Sequence, residues 1–206
     1  IPLAVYHKYS EKKLPESNQV YPVISVIVPA YNEENNIERC IESLIEADYP
    51  TDKKRIIVVD DGSKDATLEK ARKYEGQNVK VIHKENGGKH SALNYGLNYT
   101  DDEIIVHSDA DSIVSRKALK LLVNKLQENE NIGAVAGNVK ILNRNSVITN
   151  CQALEYITQI NIFRRALDLF GTVSVVPGAL GAYRRDFLEK EGFYDPDTLT
   201  EDFDTT

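Results

Sequence analysis

Short β-branched apolar runs that alternate with helix-period segments are the strongest constraint on what this chain can fold into. The runs are Ile24–Val28, Ile56–Val59, Val79–Ile82, Ile104–Val106 and Ala134–Val139. Continuous apolar runs of this length suit strands covered on both faces. After the first run, Ile37, Cys40, Ile41, Leu44 and Ile45 recur at three- and four-residue intervals, so they share one helix face, with Asn35 or Asn36 as the candidate cap. The spacing predicts a second helix over Ala66–Tyr74, capped by Ser63 or Asp65 and stopped by Gly76. A third is expected over Ser91–Tyr99 with Ala92, Leu93 and Leu97 on one side, and a fourth carries Leu119, Leu122, Val123 and Leu126 behind a cap at Ser115. Strand–helix alternation forces right-handed crossovers, hence an α/β fold with a mainly parallel central sheet and helices on both faces. Residues 1–22 mix Lys, Glu, Ser and Pro without periodicity and read as an extended lead-in or linker, leaving 23–206 as one domain.

In such a sheet, ligands bind beyond the carboxyl ends of the strands. Polar clusters should therefore stand where the apolar runs stop, and Tyr31-Asn32-Glu33, Asp60-Asp61-Gly62 and Asp109-Ala110-Asp111 do so. Asp109 and Asp111 offer hard oxygen ligands suited to Mg²⁺ or Mn²⁺, and a metal with few protein carboxylates completes its shell with substrate phosphates and water. An isolated Asp-x-Asp is more often a solvated turn, although its place after a buried strand shifts that balance. Of Asp60 and Asp61, one carboxylate can accept the N–H of a uracil ring while the other orders the loop; turn plus helix cap is the alternative. Gly87-Gly88-Lys89 lets backbone approach a ligand and sets an ammonium at a helix start, a candidate diphosphate contact without P-loop spacing. Glu201 and Asp202 form another acidic pair, in which crowding raises the proton affinity of one carboxylate and a general base can arise, or else an acidic helix N-terminus. His83, His90 and His107 lack metal-ligand spacing and receive no catalytic role.

Composition removes several classes. With 25 Lys+Arg against 32 Asp+Glu, the formal charge of −7 opposes binding to long nucleic acids. Cys40 and Cys151 lie in no metal or redox motif and read as reduced core residues. No run approaches the roughly 20 apolar residues of a membrane span, so the chain itself is expected to be soluble. It starts at Ile1 and contains no methionine, which is most simply explained by excision from a longer protein.

Taken in order, "VIVPAYNEE" (26–34), "VVDDGS" (58–63), "NGGKHSALNYG" (86–96), "SDADS" (108–112), "PGALGAYRRD" (177–186) and "TED" (200–202) resemble the family-2 glycosyltransferases of GT-A fold. With "AVAGNVKI" at 134–141 and the stretch 152–165, the chain looks most like processive membrane synthases of poly-N-acetylglucosamine, hyaluronan and cellulose. That resemblance implies inverting, metal-dependent transfer from a UDP-sugar to a growing glycan acceptor, at the cytoplasmic face of the cell membrane and anchored by segments outside this chain. A non-processive family-2 enzyme acting on a lipid or protein acceptor needs the same donor pocket, and a catalytically silent nucleotide-binding module would retain the fold.

Carried over by position, the resemblance implies that Pro29, Tyr31 and Glu33 line the nucleotide pocket and that Asp61 reads the uracil. Lys89 would lie near the diphosphate, Asp109 would contact the nucleotide-sugar and share the Mg²⁺ or Mn²⁺ site, and Asp111 would ligate the metal directly. Asp202 would be the catalytic base beside Glu201, with Gly178 toward the acceptor. These synthases also carry a downstream Gln-x-x-Arg-Trp motif, which this chain stops before, so donor binding without turnover is expected of the chain alone. The segment Val147–Leu169 has the pattern of a long amphipathic helix suited either to a membrane interface or to the domain's own sheet.

Overall fold

A computed structural model describes residues 20–76, 78–140 and 179–190. The chain divides into two compact units, one of Tyr21–Gly137 with Val176–Thr205 and one of Ile1–Val20, Asn138–Val175 and Thr206. Of the second unit only Val20 and Asn138–Lys140 are described, and they carry no regular secondary structure. Residues 1–19 of the expected lead-in over 1–22 and the amphipathic pattern at Val147–Leu169 thus lie outside the described residues, as does Cys151.

The first unit is built on a six-stranded sheet in the order β3-β2-β1-β4-β6-β5. Its strands are β1 (Ile24–Ala30), β2 (Lys54–Asp61), β3 (Val79–Lys84), β4 (Ile104–Ser108), β5 (Ala134–Ala136) and β6 (Leu180–Arg184). β1 pairs in parallel with β2 and β4, and β2 with β3, while β6 runs antiparallel to β4 and β5. The sheet is thus mainly parallel, as the alternation requires. β1, β2 and β4 run past their apolar stretches into Pro29-Ala30, Asp60-Asp61 and His107-Ser108. The ladder explains the extension of the first two, because pairing of Ala30 with Asp60 and of Asp61 with Lys84 satisfies backbone groups whatever the side chain. β5 stops at Ala136, short of the expected Val139.

Alternate strand residues enter two cores. Val26, Val28, Ile56, Val58, Ile104 and Val106 pack with Ile37, Ile41 and Leu44 of α1 (Ile37–Ile45), Ala71 of α2 (Thr67–Arg72) and Leu119, Leu122 and Leu126 of α4 (Ala118–Gln127). On the opposite face, Ile27, Ile57, Val59 and Ile105 meet Ala92, Leu93 and Leu97 of α3 (Lys89–Leu97) and Leu188 of α5 (Arg185–Lys190). Ile45, expected on the buried stripe of α1, is 39% exposed at the helix end. Gly96 brings α3 close to the sheet: a Cβ there would lie 2.6 Å from Ile27 Cγ2.

Basic side chains close three helix C-termini, where unpaired carbonyls and the helix dipole favour cations. Buried Lys54 donates to the carbonyls of Leu44 (2.7 Å), Ile45 (2.9 Å) and Ala47 (3.0 Å) at the end of α1. Arg184 donates to Leu126 O of α4 (2.8 Å) and Ile132 O (3.0 Å), whereas Arg185 serves the end of α3 through Thr100 O and Leu97 O and also reaches Asp102 O. At the N-termini, neither Asn36 nor Lys117, which stands where Ser115 was expected, makes a side-chain cap. Asp65 does accept from the Thr67 N–H (3.0 Å). α3 starts at Lys89, two residues before the expected Ser91, because the preceding turn is held by a distant carboxylate.

Candidate functional site

At the carboxyl ends of β1, β2 and β4 opens a cavity of about 360 Å³, a size suited to a small-molecule ligand. Pro29, Tyr31, Glu33, Asp61, Lys89, Asp109 and Asp111 line it together with Ala30, Asn86, Gly88, Ala92 and Ala110. Residues spread over more than eighty positions of sequence thus meet at one place, as the strand-end rule demands.

The first wall is a clamp between the loops after β1 and β2. Asn32 adopts φ 55°, the left-handed conformation that Asn tolerates better than most residues, which turns the chain out of the strand. Its N–H donates to Ser63 Oγ (3.0 Å), and the Lys64 N–H donates back to Asn32 Oδ1 (2.9 Å). Glu33 N–H donates to Thr67 Oγ1 (2.7 Å) and Glu34 N–H to Asp65 Oδ2 (3.1 Å), while Ala66 N–H donates to Glu34 Oε2 (3.1 Å). Burial works against the Asp65 carboxylate, but the hydrogen bonds from Thr67 and Glu34 outweigh it and hold this carboxyl below its ordinary range. The Glu33 carboxylate accepts from Asn36 Nδ2 (2.8 Å), which fixes it at the cavity edge beside the start of α1.

Asp61 and the Gly87-Gly88 turn make the second wall. The buried Asp61 carboxylate accepts the N–H of Gly87 (3.0 and 3.2 Å) and of Gly88 (2.8 Å), and Lys84 Nζ lies 2.6 Å from Oδ1. Asn86 Nδ2 donates to Asp61 O (3.0 Å). Gly62 and Gly88 take φ of +73° and +87°, which favour glycine, and a Cβ on Gly62 would lie 2.7 Å from Asn86 N, so the close approach of the two loops depends on Gly62. Ligand-facing position and loop ordering thus fall to one residue. Asp60 points to the other face of β2, fully buried, with Oδ2 2.7 Å from His83 Nδ1 and Oδ1 without a hydrogen-bond partner among the described residues.

The third wall is the Asp109-Ala110-Asp111 turn. Asp109 N–H donates to Ala179 O (3.2 Å) and Ser112 N–H to Asp109 O (3.1 Å), so the turn is tied to the approach to β6 and to itself. From beneath, the Cys40 thiol lies 3.4 Å from the Asp109 carbonyl. Burial, against a smaller opposing hydrogen bond with Ser108, pushes that thiol up to about 12. Lys89 Nζ sits 2.9 Å from Asp109 Oδ1 and joins the head of α3 to this turn.

Glu33, Asp61, Asp109 and Asp111 put four carboxylates on the cavity, against the ammonium of Lys89 within it and that of Lys84 behind Asp61. An anionic ligand entering there meets like charge unless a cation accompanies it. Among the described residues no group of three or more His, Cys, Asp or Glu could hold a metal alone. Asp109 and Asp111 supply two hard oxygen donors at the cavity wall, and the first already engages Lys89. The candidate residues Gly178, Glu201 and Asp202 lie outside the described residues. Sequence reasoning missed Asn86, which lines the cavity, and Lys84 behind Asp61; the signal available was Asn86 immediately before the Gly87-Gly88 step and Lys84 two residues earlier.

The family model for "Glycosyl transferase family 2" matches residues 25–192. The poly-beta-1,6-N-acetyl-D-glucosamine synthase of Staphylococcus aureus (strain MSSA476) is 31% identical over 198 residues, covering 95% of this chain and 48% of that protein. The synthase of the same name from Staphylococcus epidermidis is 30% identical, over 87% of this chain and 43% of its own length. The chain thus spans about half the length of the curated relatives it matches. Among solved structures, the mannosyltransferase PcManGT from Pyrobaculum calidifontis, in complex with GDP-Man and Mn²⁺, superposes with a TM-score of 0.76 at 28% identity, covering 98% of this chain and 56% of that one. S. aureus TarS 1-349 in complex with UDP-GlcNAc shares the fold at a TM-score of 0.61 and 24% identity, over 89% of this chain and 52% of its own.

Proposed function

This chain belongs to glycosyl transferase family 2, and on that premise we propose that it is the donor-binding catalytic domain of an inverting transferase that moves a sugar from a UDP-sugar to a growing polysaccharide. The observation that carries the reading is that Pro29, Tyr31, Glu33, Asp61, Lys89, Asp109 and Asp111 line one common cavity. The likeness to poly-beta-1,6-N-acetyl-D-glucosamine synthases favours a polymer product and an N-acetylhexosamine donor.

In this reading Pro29 and Tyr31 pack against the nucleobase and Asp61 accepts its imide N–H. Lys89 meets the diphosphate at the head of α3, where the helix dipole adds to its charge. Asp111, with Asp109 beside it, holds Mg²⁺ or Mn²⁺, which when bound supplies positive charge to the departing diphosphate. Asp202 takes the proton of the acceptor hydroxyl as its oxygen bonds to the anomeric carbon and the bond to the diphosphate oxygen breaks on the opposite face. Glu201 beside it favours a protonatable carboxylate there, and Gly178 is assigned to acceptor binding. No helix among the described residues is long and apolar enough to cross a membrane. Attachment of the whole protein to the cytoplasmic face of the membrane would come from other segments.

Calorimetry of the chain with UDP, with and without Mn²⁺, tests the reading, with GDP as comparator. Binding of UDP that Mn²⁺ strengthens is expected; failure to bind any nucleoside diphosphate with either metal would remove it. Labelled UDP-sugars supplied to membranes holding the full-length protein then identify the donor.

A further inference from the structure

We infer that Lys84, which does not line the cavity, is a positioning residue for it: its ammonium fixes the Asp61 carboxylate and through it the Gly87-Gly88 turn that leads into α3. The inference rests on the donor-pocket reading for its consequence, and on the geometry of β2 and β3 for its cause.

Lys84 and Asp61 are register partners at the ends of β3 and β2. Side chains so placed lie on one face of the sheet within reach of each other. Their polar atoms are 2.6 Å apart, with the Asp61 side chain 3% and the Lys84 side chain 15% exposed. The ammonium also donates to the carbonyl of Glu85 (2.5 Å), which fixes its height under the turn. A second observation comes from Gly87, where an added Cβ would lie 2.9 Å from Lys84 Nζ and 2.7 Å from Ser91 Oγ. Glycine at that position leaves the space that the ammonium fills.

The Asp61 carboxylate is saturated on its inner side by two backbone N–H groups and one cation. Its charge is out of water, and two amide dipoles compensate it less well than an ammonium does. Without Lys84 the carboxylate loses its cationic partner, and the pull of solvent on it is no longer opposed from behind. A carboxylate that turns outward loosens its hold on the Gly87 and Gly88 amides and alters the acceptor presented to the cavity. Lys89 and the first turn of α3 follow that turn directly, so the disturbance reaches the Lys89–Asp109 contact as well.

The test is a double-mutant cycle on the whole chain with Lys84→Met, Asp61→Asn and their combination, read by UDP affinity in Mn²⁺ and by hydrogen exchange of the Gly87 and Gly88 amides without ligand. Lys84→Met is expected to weaken UDP by about tenfold and to speed both amides by about tenfold, the size of one lost charge-assisted hydrogen bond. In the Asp61→Asn background the same change should move neither readout by more than about twofold, because the charge it serves is gone. Lys84→Gln, which keeps the stem and a donor but no charge, should behave like Lys84→Met and serves if the methionine variant does not fold. Equal losses in both backgrounds would reduce Lys84 to packing, and unchanged glycine exchange in Lys84→Met would overturn the inference. A parent chain that binds no UDP removes the donor reading alone, since the exchange arm still decides whether Lys84 holds the turn.

Discussion

The ammonium of Lys89 lies 2.9 Å from the carboxylate of Asp109, so a cation on α3 and an anion on the turn after β4 meet at the wall of one cavity. In the function proposed above, a diphosphate draws on the first and a divalent ion on the second. Either ligand alone breaks the pair without replacing both halves, whereas the two together exchange it for two new ion contacts. Nucleotide and metal should therefore bind with positive coupling. Lys89→Met is expected to weaken UDP by roughly tenfold or more, the worth of one charged hydrogen bond. Asp111→Ala should abolish the gain in UDP affinity that Mn²⁺ gives. Calorimetric titrations across a Mn²⁺ series check both, and a variant at Asp111 that stays equally metal-sensitive would reassign the ligand.

With Asp202 as the proposed base, Asp202→Asn in the full-length protein should separate binding from chemistry. Loss of a general base removes roughly 10²–10⁴ in rate, while an amide of the same shape leaves the donor contacts intact. Transfer of labelled sugar should fall below detection, with UDP affinity changed by no more than about twofold. Turnover at the parent rate would transfer the role of base elsewhere.

Gly96→Ala tests how closely α3 must approach the sheet. The new methyl would stand 2.6 Å from Ile27 Cγ2 and 3.1 Å from Val59 Cγ2, both on strands that cannot retreat without breaking the ladder. Overpacking of this kind costs about 1–3 kcal/mol, readable as a lower urea midpoint at unchanged slope. Because α3 begins at Lys89, the shift should also weaken UDP. Full retention of both stability and affinity would mean that the helix slides freely on Ile27.

Strands β1 to β5, the order of helices α1 to α4 and the polar clusters at the strand ends were legible because period and punctuation are local properties. Ile27 and Val26 enter opposite cores for the same reason that the run Ile24–Val28 is unbroken: the sheet is covered on both sides. β6 and α5 were not read from the sequence, and nothing in Leu180–Arg184 states which neighbour that strand joins or in which direction. Nor was the meeting of Lys84 with Asp61, which depends on the β2–β3 register. The division of labour within Asp60-Asp61 follows from strand alternation: neighbours in β2 face opposite cores, so only Asp61 can reach the α3 side. The apolar pattern placed the start of α3 two residues late, at Ser91, whereas the Gly87-Gly88-Lys89 step marked the helix start at Lys89 that the structure has; the hold of Asp61 on that turn is the part that sequence does not show.

Arg184 and Arg185 are adjacent in sequence yet serve opposite faces, the first closing α4 and the second the end of α3. Each arginine satisfies more than one carbonyl, and no carbonyl is shared between them. Alanine at either position should cost about 1–3 kcal/mol, and the pair should be close to additive. Hydrogen exchange resolves the two: Arg184→Ala should expose the last turn of α4, Arg185→Ala that of α3. Loosening of both helices in either variant would show one coupled unit instead.

Cys40 supplies a pH test of the floor beneath Asp109. Its thiol is buried in α1 and faces the Asp109 carbonyl, and burial first, then the nearby carboxylates, drives its ionisation up from 9.0 to about 12. The folded chain therefore keeps this proton at a pH where the unfolded chain gives it up. Stability from this group is whole below pH 9 and declines as pH rises toward about 12, because the unfolded state then binds fewer protons than the folded one. Two measurements follow. Urea midpoints taken upward from neutral pH should fall more steeply above pH 9 in the parent chain than in Cys40→Ala. Peptide mapping after iodoacetamide at mildly alkaline pH should leave Cys40 unmodified in the folded chain and modified once urea unfolds it, since only thiolate reacts and only unfolding releases it. Rapid native labelling at Cys40 would mean that α1 opens beneath the Asp109 turn, and UDP with Mn²⁺ should then slow that labelling by holding the turn in place.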